Sequence, residues 1–168
     1  MPNVIFVCTA NICRSPVAEA LFADWLRQQP DAQAWQVSSA GTWAANGVAA
    51  SAFSCEVLGE RGLDISRHRA RRVDRGMVAA ADLVLCMTRS QQEAMQADFP
   101  EFAARIQLLS AMSGPAYDIA DPYGGPRQGY VEMVAEIAHL LAAGRPRIMA
   151  LAGGPPKLMA PDAVPDKK

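Results

Sequence analysis

The stretch from Val4 to Phe22 limits the possible folds of this chain more than any other. It opens on Val4-Ile5-Phe6-Val7, a short β-branched and aromatic run suited to a buried strand. It closes on Val17, Leu21, Phe22, Trp25 and Leu26, whose spacing puts them on one face of a helix. Ser15 reads as the N-cap of that helix and Pro16 as its first residue, where a missing N–H costs nothing. The loop between strand and helix starts at Cys8 and ends at Arg14.

That loop has a chemical use. A chain entering a helix N-terminus turns several backbone N–H groups inward, and the helix dipole adds partial positive charge, so the concavity suits a tetrahedral oxyanion. Arg14 adds a planar fork able to hold two of the anion's oxygens. Cys8, at the strand's end, would form the floor of the cradle. The field that holds the anion also favours thiolate over thiol there, which makes Cys8 a nucleophile. Ser15 can donate its hydroxyl to the sulfur. A thiolate beneath a bound phosphate is a phosphatase arrangement.

The segment resembles the opening of the low-molecular-weight protein tyrosine phosphatases, V-x-F-V-C-x-x-N-x-C-R-S-P-x-A-E. The chain matches it at Val4, Phe6, Val7, Cys8, Asn11, Cys13, Arg14, Ser15, Pro16, Ala18 and Glu19. The resemblance is to the bacterial type, near the protein arginine phosphatase branch, and extends over roughly residues 4–141. It implies that Thr9, Ala10, Asn11, Ile12, Cys13 and Ser15 shape the phosphate-binding loop. Ser38-Ser39-Ala40-Gly41-Thr42 resembles a second landmark, in which Ser39 would brace Asn11. Trp43 follows where the family supplies an aromatic wall to the substrate cleft. Gly62-Leu63-Asp64-Ile65-Ser66-Arg67-His68-Arg69-Ala70 resembles a third, and carries His68 over as a brace behind the loop. Where family members often have an aspartate after Met87, this chain has Thr88.

A second chemical group lies at Asp121-Pro122-Tyr123-Gly124-Gly125. Proline biases the residue before it toward an extended form, so the Asp121 carboxyl is held. Asp118 is a local competitor without the Pro-aromatic context. The loop resembles the family's D-P-[YF] loop, whose aspartate is the general acid, and Tyr123 would flank the substrate.

The remaining elements follow the pattern of an α/β fold. Strands are expected at 35–39, 82–87 and 105–109, and helices at 48–61, from about Ser90 to before Pro100, and at 128–143, where Gly144 stops the last. Strands alternating with helices imply a three-layer, doubly wound fold with a four-stranded parallel sheet, flavodoxin-like in the resemblance, with ligands at the strands' carboxyl ends. Residues 1–144 form one phosphatase domain and 145–168 a Pro/Gly-rich tail.

Composition excludes several other classes. A net charge of −1 over 168 residues gives no argument for nucleic acid or an anionic membrane surface. The arginine run Arg61, Arg67, Arg69, Arg71, Arg72 and Arg75 reads as a solvated face, or as steering for acidic phosphorylated partners. There is no leader pattern and no apolar run of spanning length, so a cytoplasmic location is the default expectation. Cys8, Cys13, Cys55 and Cys86 do not read as a disulfide framework, and His68 and His139 are not spaced as zinc ligands. No cofactor or metal is expected, and the chain is taken as a monomer or weak dimer acting on phosphorylated protein.

Two rival activities share the scaffold. The arginine phosphatases resemble this chain but place a threonine where it has Ile12; Ile12 offers an apolar flank to an aromatic ring, which favours phosphotyrosine. A thiol-dependent arsenate reductase needs two further relay cysteines near Cys86, and Glu93 stands about where one would be. Cys13, in the loop itself, is expected to protect an oxidised Cys8 by pairing with it.

Overall fold

The structure, a computed structural model, describes residues 1–153. Strand β1 (Asn3–Cys8) leads into helix α1 (Arg14–Arg27), followed by β2 (Gln36–Gly41), α2 (Ala52–Gly59) and α3 (Arg75–Ala80). Then come β3 (Leu83–Cys86), α4 (Arg89–Asp98), β4 (Ile106–Leu108) and the long α5 (Arg127–Leu151). The four strands form one parallel sheet in the order β2-β1-β3-β4.

Each central strand is apolar on both faces because helices cover both. Val4 and Phe6 of β1, with Leu83 and Leu85 of β3, pack under α1, α2 and α5. Ile5, Val7, Val84 and Cys86 face the opposite layer, against Val78 of α3 and Met95 of α4. Phe22 anchors α1 by meeting Phe6 edge to face, with ring centroids 5.8 Å apart. Full burial of a side chain this size stabilises the fold by about 2–3 kcal/mol. The result is the three-layer, doubly wound, flavodoxin-like arrangement.

This topology positions the site. From β1 the chain moves outward to β2, then crosses back to β3 and β4 on the other side. The reversal leaves a crevice at the carboxyl end of β1, where ligands collect in such sheets. Cys8 is the last residue of β1, in register with Gly41 of β2.

Three local expectations are corrected. Ser15 is not the N-cap: α1 begins at Arg14 behind Cys13, without a side-chain cap, and both Ser15 and Pro16 lie inside its first turn. Pro16 is still tolerated, because the first N–H groups of a helix have no intrahelical partner. Gly144 does not stop α5, which continues through Pro146 to Leu151, so the first part of the expected tail is helical. A Cβ at Gly144 would meet the Met112 side chain at 2.8 Å, so the glycine serves close packing rather than termination. Ile148, wholly buried, holds the extension down. Residues 154–168 of the expected tail lie outside the described residues. Helix α2 is also shorter than expected, because residues 48–50 are drawn into pairing with the 69–70 segment: Ala49 bridges Arg69 and the Ala70 N–H donates to the Val48 carbonyl at 2.7 Å. Helix α3 is a new element, capped by Asp74, which accepts the Met77 N–H at 2.8 Å. Among the described residues no helix is long and apolar enough to cross a membrane.

Candidate active site

The loop from Thr9 to Cys13 takes its shape from Asn11, which is wholly buried and has φ +57°. A non-glycine residue in that left-handed region persists only where surrounding contacts hold it. Here they do. The Arg71 N–H donates to Asn11 Oδ1 at 3.0 Å, and His68 Nε2 lies 2.7 Å from the Asn11 carbonyl. A carbonyl only accepts, so His68 carries its proton on Nε2.

The direction of the remaining bonds then follows. A main-chain N–H can only donate, so Oδ1 faces Arg71 and the Asn11 NH₂ faces the serines, 2.8 Å from Ser15 Oγ and 2.9 Å from Ser39 Oγ. Each serine, having accepted, passes its own proton onward. Ser39 donates to Glu19 Oε2 at 2.5 Å. Ser15 Oγ lies 3.0 Å from Cys8 Sγ and 3.4 Å from the Ala40 carbonyl, and it donates to the sulfur when Cys8 is the thiolate, which can only accept. The network therefore delivers a hydrogen-bond donor to Cys8.

Arg14 is 3% exposed and spans the cradle. Its Nη1 donates to the Ile119 carbonyl at 2.8 Å, and its Nη2 lies 3.3 Å from Asp121 Oδ2. The buried Nε has no partner among the described residues. Asp121, about half exposed, is fixed at its other oxygen by the Tyr123 N–H at 3.1 Å, the local turn that Pro122 favours. A cavity of about 300 Å³ is lined by Cys8, Thr9, Ala10, Ile12, Cys13, Arg14, Asp121 and Tyr123. Sulfur, guanidinium and carboxyl thus open onto one small space. Asp118, the competitor, accepts the Arg89 N–H at 2.8 Å and does not line it.

Trp43 does not line the cavity either. Its main-chain N–H donates to the Thr9 carbonyl at 2.9 Å, but the residue is 74% exposed and lies outside the cavity lining. Cys13 Sγ lies 3.4 Å from Ser51 Oγ and 3.7 Å from the Tyr130 hydroxyl, and burial pushes its thiol pKa up. Cys86 lies wholly inside the sheet's second layer, where burial raises its thiol further.

Several supporting residues are not evident in the sequence. A Cβ at Gly41 would sit 2.5 Å from the Thr9 carbonyl, so only glycine lets β2 approach the loop. Thr88 caps α4 in a reciprocal box with Gln91. Gln91 accepts the Met87 and Thr88 N–H groups, which turns its NH₂ onto Thr9 Oγ1 at 3.0 Å. The Ser51 N–H donates to the Ile12 carbonyl at 2.9 Å and so supports the loop from α2.

Attack by sulfur on phosphorus, with charge held by main-chain N–H groups and a guanidinium, is the chemistry of the cysteine-dependent phosphatases. Comparison with known proteins narrows the class. Residues 3–143 match the family described as low molecular weight phosphotyrosine protein phosphatase, and the chain belongs to that family. It is 37% identical over 149 residues to a probable low molecular weight protein-tyrosine-phosphatase, EpsP, of Ralstonia nicotianae, covering 89% of this chain and 97% of the relative. Among solved structures, the YwlE arginine phosphatase from Geobacillus stearothermophilus superposes with a TM-score of 0.81 at 34% identity, covering 89% of this chain and 94% of that one. The low molecular weight protein tyrosine phosphatase from T. tengcongensis gives 0.80 at 36% identity, covering 88% and 99%.

Proposed function

We propose that this enzyme hydrolyses phosphotyrosine in proteins through a cysteinyl-phosphate formed on Cys8. The observation that carries the reading is the shared cavity of Cys8, Arg14 and Asp121. In the first step the Cys8 thiolate attacks phosphorus in line. Arg14 and the loop amides hold the equatorial oxygens, and Asp121 protonates the departing tyrosine oxygen. In the second step ionised Asp121 takes a proton from water, which hydrolyses the thiophosphate and frees Cys8. The unpartnered Arg14 Nε supports this placement of the anion. A thiol nucleophile of this kind works in the cytoplasm, where thiols are kept reduced.

Ile12 sets the preference for phosphotyrosine. It is half-buried on the cavity wall, with Tyr123 also lining the cavity, and together they offer apolar surface to a ring rather than a hydroxyl to a guanidinium. Arginine phosphatase is the second reading, favoured by the likeness to YwlE. We expect the wild type to favour phosphotyrosine over phosphoarginine peptides in kcat/KM. Ile12→Thr should lower the phosphotyrosine value by roughly tenfold while raising the phosphoarginine one. A wild type that prefers phosphoarginine reverses the assignment.

Cys13 protects the nucleophile. Peroxide converts Cys8 to the sulfenic acid; the Cys13 sulfur attacks it, water leaves, and a disulfide forms that an added thiol reduces. After peroxide and then thiol, the wild type should regain most of its activity and Cys13→Ser little of it. Equal recovery would remove this role.

A further inference from the structure

We infer that Arg72, carried on the ring of Trp43, is a docking point for an acidic residue flanking the phosphotyrosine of the substrate. The inference rests on the phosphotyrosine reading above and names a substrate class for it.

Trp43 is the most exposed aromatic residue of the described chain, yet it is not idle. The Arg72 guanidinium lies over its ring, 4.8 Å from the centroid. Both main chains are fixed. Trp43 is tied to the cavity wall through the Thr9 carbonyl, and Arg72 bridges Gly41 while its N–H donates to Asn46 Oδ1 at 2.8 Å. The pair therefore stands immediately outside the slot. Neither residue lines the cavity that would take the ring, which leaves the pair for residues flanking that ring in an extended peptide, about 3.3 Å apart.

The charge on Arg72 is available. Arg71 donates from Nε to the Ser39 carbonyl, Arg69 donates to the Ser66 and His68 carbonyls, and Arg75 pairs with Glu101. Asp74, two residues further on, is occupied in capping α3. Arg72 has no carboxylate within ion-pair distance among the described residues. A guanidinium pre-positioned on an aromatic plate, beside a phosphate site and without an acid of its own, suits a carboxylate brought by the substrate. Stacking also lowers the entropy lost when that carboxylate is bound.

Three phosphotyrosine peptides, identical except for Asp, Ala or Lys at the positions flanking the phosphotyrosine, test this, with para-nitrophenyl phosphate as the reference for each variant. In the wild type kcat/KM should fall from Asp to Ala to Lys by about threefold per step, as expected for an exposed charge pair. The effect should lie in KM, because the contact is equal in ground and transition states. High salt should shrink it. Arg72→Gln should flatten the series, Arg72→Glu should invert it, and Trp43→Leu should weaken it. A wild type indifferent to the flanks, or a preference that survives Arg72→Glu unchanged, overturns the docking role alone. Failure to cleave all three peptides while cleaving phosphoarginine overturns the phosphotyrosine reading and this inference with it.

Discussion

Cys8→Ser should lower turnover of every phosphate ester by more than about a thousandfold without unfolding the protein. A serine hydroxyl is not ionised at neutral pH, and Asp121, which shares the cavity, serves as the acid of the first step rather than as its base. Ser15, held by the donating Asn11 amide, keeps its hydroxyl 3.0 Å from Cys8 Sγ, where it can donate to an anion. The surroundings of residue 8 thus stabilise an anion there but do not make one from an alcohol. Cys8 is 2% exposed at the end of a central strand, and oxygen is slightly smaller than sulfur, so the fold should tolerate the exchange. The melting temperature and the affinity for inorganic phosphate should remain close to wild type. A serine variant that turns over para-nitrophenyl phosphate at near wild-type rate would end the covalent mechanism on Cys8.

The parts of this site that were legible in the sequence are those where chemistry and backbone geometry coincide in a short window. Cys8 and Arg14 bracket one loop, and Asp121 sits before a proline that fixes it, so a few adjacent residues carry the information. The sheet was legible for the same reason, since β1 and β3 are continuous apolar runs buried on both sides. What was not legible depends on partners distant in the chain. Ser15 is chemically a good cap, yet Asn11 and Cys8 draw its hydroxyl inward, and tertiary contacts override the local preference. Trp43 reads as a cleft wall, but Arg72, 29 residues later by their numbering, provides its ring's contact outside the cavity. Gly144 looks like a helix stop until Met112 is found against it. Thr88-x-x-Gln91 carries a capping-box signature. That the Gln91 amide then reaches Thr9 depends on the fold, which brings the Met87 and Thr88 N–H groups onto its oxygen.

Asp121→Asn should lower kcat/KM on phosphotyrosine peptides by about 10²–10⁴-fold, the usual contribution of a positioned general acid. The leaving group decides whether that loss reflects proton transfer. kcat/KM reports only the steps up to cleavage of the P–O bond, so the later hydrolysis of the thiophosphate does not enter. Tyrosine leaves as a poor phenolate and needs the proton, whereas para-nitrophenolate departs readily without it. The loss should therefore be far smaller on para-nitrophenyl phosphate than on the peptides. A role confined to steadying Arg14 through the 3.3 Å contact predicts something different, an equal loss on both substrates. Asp118→Asn supplies the control, since that carboxylate accepts an N–H at the start of α4 and lies outside the cavity lining. Its kcat/KM should stay within about threefold of wild type on either substrate. If Asp121→Asn loses the same factor on both esters, Asp121 holds the arginine and the proton comes from elsewhere.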